Sequence, residues 1–348
     1  MNPHRLSDFD YELPDEFIAR YPPPHREDSR LLVLHKTSGE IEDKKFTDLA
    51  EYLKSGDALV LNETRVIPAR LSGIRETTGA QIEIFLLHKQ ADRTDTWHTL
   101  AMPAKKVKLG ERIIINDDLS GEVTEELAEG ERIVKFFSGM GKVEEAIEKA
   151  GAMPIPPYLK RDSEPIDRER YQTIFARING AVAAPTASLH FTDELLKQIE
   201  AKGVAIVKVL LHVGLGTFRP VEVEDIREHT MHAEYFEVSE EAAEKINAVK
   251  KNGRRIIAVG TTAARTLESA ANDEGKVIAQ SGETSIFIYP PYKFKIVNAL
   301  ITNFHQPRST LLMMISAFAG YENVMNAYRH AIEEKYRFLS YGDAMLLL

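Results

Sequence analysis

The sequence predicts an α/β protein in which a mixed sheet carries helices on both faces and an all-β barrel domain is inserted. Three observations predict this fold. Short apolar runs separated by turns fill residues 57–137, with no helical pattern between them. Beyond residue 167 the apolar period becomes 3.6, and helices alternate with apolar strands. Between these regions lies MPIPPYLKR (residues 153–161), whose three prolines indicate a crossing between domains.

Strand signals also precede the β-rich region, in the run RLLVLH at residues 30–35. A chain of 348 residues, 43% of them hydrophobic, is long enough to form two cores. Because α/β signals lie on both sides of the β-rich region, we expect an α/β catalytic domain of residues 1–66 and 158–348. Residues 67–157 then form the inserted β-barrel domain.

The individual elements follow from period and from helix-end signals. Thr192 and Gly203 are typical of the start and the stop of one helix, and Gly253 ends another. Expected strands are residues 57–62, 80–88, 111–116, 120–126, 132–137, 204–213, 254–260, 285–289 and 299–302. Expected helices are residues 192–202, 239–252 and 262–272, with two more within residues 309–338.

The composition excludes several classes of chemistry. The chain has no cysteine, so disulfides, thiolate nucleophiles, iron–sulfur clusters and thiolate zinc sites are excluded. No stretch approaches the roughly 20 apolar residues of a membrane span, and the first ten residues are too polar for a secretory signal. We therefore expect a cytoplasmic protein with no membrane partner.

The net charge of −9 confines any nucleic-acid contact to local basic patches. Each patch alone has the composition of an ordinary solvated surface, so only convergence of several patches in space would indicate a docking face. The candidate patches are Lys105, Lys106 and Lys108; Lys160 and Arg161; Arg254 and Arg255; Lys293 and Lys295.

Three polar loops fall where strands of the α/β domain should end, which is where open sheets bind ligands. They are AAPTASLHF (residues 183–191), HVGLGTFRP (residues 212–220) and TNFHQPRST (residues 302–310). Small residues permit close approach of a ligand to the backbone, and free amides at a helix start favour anions. Each loop alone is also typical of a tight strand-to-helix turn with a hydrogen-bonded histidine. The three together favour a ligand site.

Three further segments are polar: NETRVIPAR (residues 62–70), GTTAARTLE (residues 260–268) and YRFLSYGDAM (residues 336–345). In the second, Thr261 and Thr262 fall at a predicted helix start with Arg265 one turn later. They suit a carboxylate or phosphate, or simply cap the helix. In the third, Asp343 follows a glycine, where it could be a base, an acceptor for a ribose hydroxyl or an Asx-turn residue.

Two other patterns do not support a specific site. Gly214 and Gly216 begin a glycine pattern, but the third glycine position holds Arg219, so a dinucleotide-binding fingerprint is not predicted. His229 and His232 have the spacing of metal ligands on a helix, yet no other metal-binding pattern accompanies them. We therefore predict no metal site.

In their order along the chain, these motifs resemble the S-adenosylmethionine:tRNA ribosyltransferase-isomerase family of queuosine biosynthesis. The resemblance extends from about residue 6 to the last residues. This sequence departs from the family pattern at three positions: Ser188 replaces glycine, Glu283 replaces tryptophan and Gln306 replaces leucine. The matching strings are LSDFDYELPDEFIARYPPPHREDSRLLVL, NETRVIPARL, PPYLKR, ERYQTIFAR, LHVGLGTFRPV, GTTAARTLE, TNFHQPRSTLL and YRFLSYGDAM.

The resemblance implies that the ribosyl part of S-adenosylmethionine, rather than its methyl group, is transferred and isomerised. The implied acceptor is 7-aminomethyl-7-deazaguanine at the wobble position of tRNAs for tyrosine, histidine, aspartate and asparagine. The implied products are epoxyqueuosine-tRNA, adenine and methionine. No metal or separate cofactor is implied, and S-adenosylmethionine is a substrate. The fold implied is again an α/β domain with an inserted β-barrel, and we expect a monomer.

This chemistry needs a base at the 5′ carbon, an acid that helps adenine leave and a deprotonated acceptor amine. We favour His212 as the base, because the small neighbours Gly214 and Gly216 would let the ribosyl group approach. The other catalytic candidates, taken from the motifs that match the family, are His190, His232, His305 and Asp343. The expected substrate-binding residues are Arg65, Arg70, Thr186, Gly214, Gly216, Arg219, Thr261, Thr262, Arg265 and Arg308.

Two other classes of function remain as alternatives. One is an S-adenosylmethionine-dependent methyltransferase, which the missing glycine fingerprint disfavours. The other is a tRNA-binding module without catalysis. The released products distinguish the three classes, because a ribosyltransferase frees adenine and methionine, a methyltransferase frees S-adenosylhomocysteine and a binding module frees neither.

Overall fold

The computed structural model describes residues 3–90, 93, 95–214, 216 and 220–348. Arg219, one of the expected substrate-binding residues, lies outside this part of the chain. Within it the helices are α1 (Leu49–Tyr52), α2 (Val143–Ala150), α3 (Asp167–Arg170), α4 (Asp193–Ala201), α5 (Glu240–Lys251), α6 (Gly260–Ser269), α7 (Thr310–Ala319) and α8 (Tyr321–Glu333). The strands are β1 (Arg30–Leu34), β2 (Ile41–Lys45), β3 (Ala58–Asn62), β4 (Thr64–Val66), β5 (Arg70–Arg75), β6 (Gln81–Lys89), β7 (Thr96–Met102), β8 (Arg112–Ile114), β9 (Leu119–Glu126), β10 (Glu131–Ser138), β11 (Ile178–Ala181), β12 (Ala205–Leu211), β13 (Glu234–Val238), β14 (Ile256–Val259), β15 (Gln280–Thr284), β16 (Ala299–Asn303) and β17 (Ala344–Leu347).

A mixed nine-stranded sheet forms the centre of the α/β part, in the order β15-β13-β12-β3-β14-β16-β17-β1-β2. Strand β3 pairs in parallel with β12 and β14, and β14 pairs in parallel with β16. Alternate residues of β3 enter two separate cores: Ala58 and Val60 pack on one face, Leu59 and Leu61 on the other. Both faces are therefore covered, as predicted.

Local signals set the helix starts. The hydroxyls of Thr192, Ser239 and Ser309 accept hydrogen bonds from the backbone N–H groups of Leu195, Ala242 and Leu312, at 3.2 Å each. Such N-caps satisfy amides that have no partner inside the first turn. These caps begin α4, α5 and α7, so the predicted helix starts are confirmed.

Six antiparallel strands close into a barrel in the order β10-β7-β6-β5-β8-β9. Its interior holds a core of its own, with Trp97, Phe136 and Leu86 among the buried side chains. The predicted all-β barrel is therefore confirmed. Two of its strands, β5 and β7, were not predicted; in β5, Gly73 interrupts the apolar pattern.

The chain enters and leaves the barrel side by side. Arg70 and Ala152 form an antiparallel bridge with reciprocal backbone hydrogen bonds of 3.2 and 2.8 Å. This arrangement is typical of an inserted segment. The division of the chain at residues 66/67 and 157/158 stays a prediction.

One expected strand was wrong. Residues 285–289 form no strand; the strand is β15, which pairs with β13 just before that run. The Thr284 hydroxyl accepts a hydrogen bond from the Ile286 backbone N–H at 3.2 Å, so the chain turns away from the sheet there. His229 and His232 lie in irregular backbone and not on a helix.

In the part of the chain that the structure describes, no helix is long and apolar enough to cross a membrane.

Candidate active site

A cavity that opens to solvent lies at the ends of the strands of the large sheet. It brings together segments that are far apart in sequence, including most of the polar loops that sequence reasoning singled out. The lining residues come from residues 183–187, 260–262, 302–306 and 339–340, with Tyr158, Tyr171, Val213, Ser309 and Leu311. The three loops expected at strand ends all reach the cavity, residues 212–220 through Val213 alone, and residues 260–262 and 339–340 join them.

The turn between β14 and α6 requires glycine. Gly260 follows the last residue of β14 directly and has φ of +86°, a backbone region that side chains with a Cβ rarely adopt. The sharp turn starts α6 at the edge of the cavity and places Thr261 and Thr262 in its wall. Free backbone amides of a helix start therefore border the cavity, where they favour an anionic or polar group.

His305 is the one expected catalytic residue that lines this cavity. Its Nε2 shares a hydrogen bond of 2.8 Å with the Thr302 hydroxyl. The backbone is held from two sides, since its N–H donates to the Tyr328 hydroxyl at 2.8 Å and its carbonyl accepts from the Tyr11 hydroxyl. Burial lowers the pKa of His305 to about 3. The ring is therefore neutral at neutral pH and fixed in orientation.

His190 lies behind the cavity wall and holds Asn303 in place. Burial, with nearby Arg337 and Arg26, lowers the pKa of His190 to about 3. Asn303 Nδ2 lies 3.2 Å from His190 Nε2 and also donates to the Leu339 carbonyl at 3.0 Å. His190 Nε2 is thus the acceptor and its Nδ1–H faces the Ser29 hydroxyl at 2.9 Å. Both ring nitrogens are used, which favours a positioning role.

Asn303 is a site residue that the sequence analysis missed. It is 2% exposed, lines the cavity, and its Oδ1 has no hydrogen-bond partner among the described residues. The Thr262 hydroxyl in the same wall is likewise without a partner there. A buried polar atom left unpaired costs about 1–3 kcal/mol. Two such atoms in one wall favour a polar ligand as their partner. The one sequence signal was the position of Asn303 at the end of a strand, before His305.

His212 lies outside the cavity lining. Its Nδ1 shares a 2.8 Å hydrogen bond with the Thr64 hydroxyl, and its ring stacks on Tyr235 with centroids 5.7 Å apart. A Cβ added to Gly180 would lie 2.6 Å from the imidazole ring. Burial lowers the pKa of His212. This close packing gives the ring a structural position instead of one facing the cavity.

The glycines that were expected to open space for a ribosyl group are covered by other side chains. The Gly214 N–H donates to Glu234 Oε1 at 2.9 Å, and a Cβ on Gly216 would lie 2.7 Å from the His232 ring. Neither glycine and neither histidine of this loop, His212 or His232, lines the cavity.

Asp343 is also placed away from the cavity. Its carboxylate accepts hydrogen bonds from the backbone N–H groups of Arg30 and Arg337 at 2.8 and 2.7 Å. Burial raises its pKa. The carboxylate thus ties β1 to the turn before β17.

The expected substrate-binding residues divide into two groups. Thr186, Thr261 and Thr262 line the cavity. Arg265, one turn beyond Thr262, is 6% exposed and forms a buried ion pair with Glu234, while its Nε and Nη2 have no hydrogen-bond partner among the described residues. Arg265 and three other arginines lie outside the lining: Arg65 contacts Asn179 and Glu148, Arg70 pairs with Glu83 at 3.2 Å, and Arg308 pairs with Asp10.

In the described part of the chain, no three histidine, aspartate or glutamate side chains are grouped so that they could hold a metal ion. His229, one of the two residues with metal-like spacing, packs edge-on against Phe287 with ring centroids 5.3 Å apart. Burial, with the neighbouring His232, lowers its pKa.

A mixed α/β sheet with a polar cavity at its strand ends and a closed β-barrel attached defines a two-part ligand-binding protein of the α/β class. The chain belongs to the family of queuosine biosynthesis proteins, whose model matches residues 6–347. The resemblance seen in the sequence motifs is therefore confirmed, and with it the expectation that the chain is an enzyme.

Curated relatives match along the whole chain. The protein named S-adenosylmethionine:tRNA ribosyltransferase-isomerase in Symbiobacterium thermophilum is 55% identical, and the protein of that name in Desulfitobacterium hafniense is 53% identical. Each match covers 99% of this chain and 100% of the relative. The crystal structure of the S-adenosylmethionine tRNA ribosyltransferase of Thermotoga maritima is 40% identical, with a TM-score of 0.56 over 98% of this chain and 100% of that one.

Proposed function

We propose that this enzyme transfers and isomerises the ribosyl moiety of S-adenosylmethionine to 7-aminomethyl-7-deazaguanine at the tRNA wobble position. Epoxyqueuosine-tRNA, adenine and methionine are the products. The observation that carries the proposal is the cavity whose wall holds a neutral histidine, His305, beside the unpaired polar atoms of Asn303 and Thr262. The names of relatives more than half identical over their whole length support the same activity.

His305 fits the role of the base at the 5′ carbon. Its Nε2 is engaged by Thr302, which leaves Nδ1 as the ring nitrogen without a hydrogen bond to the described residues. A neutral imidazole can accept a proton at neutral pH, although burial makes it a weak base. The sulfonium next to the 5′ carbon raises the acidity of that C–H bond, and the desolvated site holds the base close to it. In this proposal, Asn303 and Thr262 bind polar groups of the substrate.

Arg265 fits the methionine carboxylate. Its free Nε and Nη2 could bind a carboxylate in the bidentate manner that guanidinium groups favour. The Arg265→Lys variant keeps the charge but loses this geometry, so we expect the KM for S-adenosylmethionine to rise about tenfold or more with a smaller change in kcat.

The matched control for this variant is Arg255→Lys, in which the exchanged arginine pairs with Asp57 instead. A KM for S-adenosylmethionine that stays at the wild-type value in Arg265→Lys would remove Arg265 from the binding site.

The proposed partners are S-adenosylmethionine and the tRNAs for tyrosine, histidine, aspartate and asparagine that carry the 7-deazaguanine precursor. We propose a monomer that needs no metal and no separate cofactor.

Dialysis against a strong chelator should therefore leave the rate of adenine release unchanged, measured before and after dialysis. Complete loss of activity that one divalent ion restores would contradict this and make His229 and His232 candidate ligands.

The assay that tests the function supplies the protein with S-adenosylmethionine and precursor-bearing tRNA and measures the released small molecules. We expect adenine and methionine in equal amounts, with no product when the tRNA lacks the aminomethyl group. Release of S-adenosylhomocysteine would identify a methyltransferase. Binding of tRNA with no release of either product would identify a binding module.

A further inference from the structure

A second and much smaller cavity lies next to the first and is lined by two arginines. Its lining residues are Pro22, Pro23, Arg26, Arg170, Leu189, His190, Ser340 and Tyr341. Ser340 lines both cavities, and its hydroxyl shares a hydrogen bond with the Tyr158 hydroxyl in the wall of the first. The two cavities are therefore neighbours across one residue.

Arg26 and Arg170 line this second cavity, and Arg337 donates to the carbonyl of Tyr341 in its lining; we call these three residues the arginine cluster. Arg26 donates to the carbonyls of Leu189 and Glu169 at 3.2 and 3.0 Å. Each guanidinium binds backbone carbonyl oxygens on the cavity rim. The remaining bonds are Arg170 to Pro23 and Pro24 at 2.6 and 3.1 Å, and Arg337 to Tyr21 and Tyr341 at 2.7 and 3.1 Å.

The carbonyls hold the three side chains in place but do not neutralise them. Among the described residues, no carboxylate lies within 4.0 Å of the charged nitrogens of the arginine cluster. Asp167 pairs with Arg161 and Asp343 accepts backbone N–H groups, while the charge of Glu169 acts on Arg26 without a direct ion pair. His190, in the same wall, is uncharged.

An anion is therefore missing from this arrangement. Burial lowers the pKa of Arg26 and the nearby charge of Arg170 lowers it further, while Glu169 and Tyr341 act in the opposite direction, and the net pKa is lowered. Arg170 Nε is buried and has no hydrogen-bond partner among the described residues. A bound anion would relieve the repulsion and pair the free N–H.

Resting on the proposed function, we propose that the arginine cluster binds a backbone phosphate of the tRNA, next to the nucleotide whose base is modified in the first cavity. Arginine is suited to phosphate, because its planar fork binds phosphate oxygens in pairs. The rim faces the surface, where Tyr21 is 49% exposed and Pro24 and His25 are also exposed, so a polymer can reach it. The methionine carboxylate has its own candidate in Arg265.

The test compares Arg26→Gln, Arg170→Gln and Arg337→Gln with Arg227→Gln as a matched control, since Arg227 is 58% exposed and paired with Asp225. The affinity for precursor-bearing tRNA is measured by fluorescence anisotropy over a series of salt concentrations. Each cluster variant should bind tRNA about tenfold more weakly at low salt, with the slope of log K against log salt reduced by about one. The control and the wild-type protein should share one slope.

A second pair of measurements separates this role from a structural one. Arg170→Lys keeps the charge, so it should keep the salt slope while losing part of the affinity. Binding of S-adenosylmethionine without tRNA, by equilibrium dialysis, should be unchanged in all cluster variants. Wild-type salt slopes in the three glutamine variants, or loss of S-adenosylmethionine binding in place of tRNA binding, would overturn the proposal.

The outcome is independent of the assay for the function. A wild-type protein that binds tRNA but releases no adenine refutes the proposed reaction, and the cluster is still judged by the salt slopes. A wild-type protein that binds no tRNA refutes both.

Discussion

Replacing His305 with alanine should lower the rate of adenine and methionine release by about 100-fold or more, while S-adenosylmethionine still binds. The reason is geometric. Of the five residues expected to act as acid or base, His305 alone lines the cavity, and Thr302, Tyr328 and Tyr11 fix its ring and backbone. Turnover is measured under saturating substrate, and binding by equilibrium dialysis.

His212→Ala is the matched comparison, since it removes the same side chain outside the cavity. It should keep most of the turnover, because the ring of His212 packs on Gly180 and Tyr235. If His212→Ala lost turnover 100-fold and His305→Ala did not, the assignment of the base would be reversed.

The pH profile of turnover is a second measurement. Because the pKa of His305 is about 3, its titration should not lower turnover between pH 8 and pH 5.

Acid should destabilise the folded protein through its two buried neutral histidines, His190 and His305. Both have a folded-state pKa of about 3, against a usual value of 6.5. Between these values the unfolded chain binds more protons than the folded one, so the free energy of unfolding falls as pH drops below about 6.5. From pH 7.5 to pH 5 each histidine should remove about 2 kcal/mol. Urea unfolding at several pH values measures the slope.

His190→Gln is the control for this pH effect. Glutamine cannot titrate, so the variant should lose about half of the pH-dependent change that the two histidines cause, whatever its stability at pH 7.5. Unfolding free energies that stay level between pH 7.5 and pH 5 in the wild-type protein would show that these two rings are not held neutral by burial.

Signals confined to neighbouring residues were predicted well from the sequence. The cap at Thr192 and the helix starts at Ser239 and Ser309 were found where expected, and each depends on a hydroxyl and an amide three residues later. The run at residues 285–289 was mistaken for a strand because its composition is apolar. Whether this run joins the sheet depends on β13, about 50 residues earlier. Strand β13 pairs with β15, which directly precedes the run.

The candidate site was predicted at the level of loops but not of side chains. The position of loops at strand ends follows from the order of strands and helices, which periodicity reveals. Which histidine faces the cavity depends on contacts across the fold: Gly180 receives the ring of His212, and Ser29 and Asn303 bind His190. The arginine cluster was missed for the same reason. Its three members are each more than 140 residues from the next in the chain, so they form no run in the sequence.

The bridge between Arg70 and Ala152 has an evolutionary consequence. Because the chain leaves the α/β part and returns to it through two adjacent segments that are hydrogen-bonded at Arg70 and Ala152, the host needs only a tight turn to close the gap. Closing a short loop costs the host little entropy, and the host sheet draws none of its nine strands from the barrel. An ancestor without the barrel could therefore have had the same sheet, and the barrel could have been gained in one insertion at a hairpin.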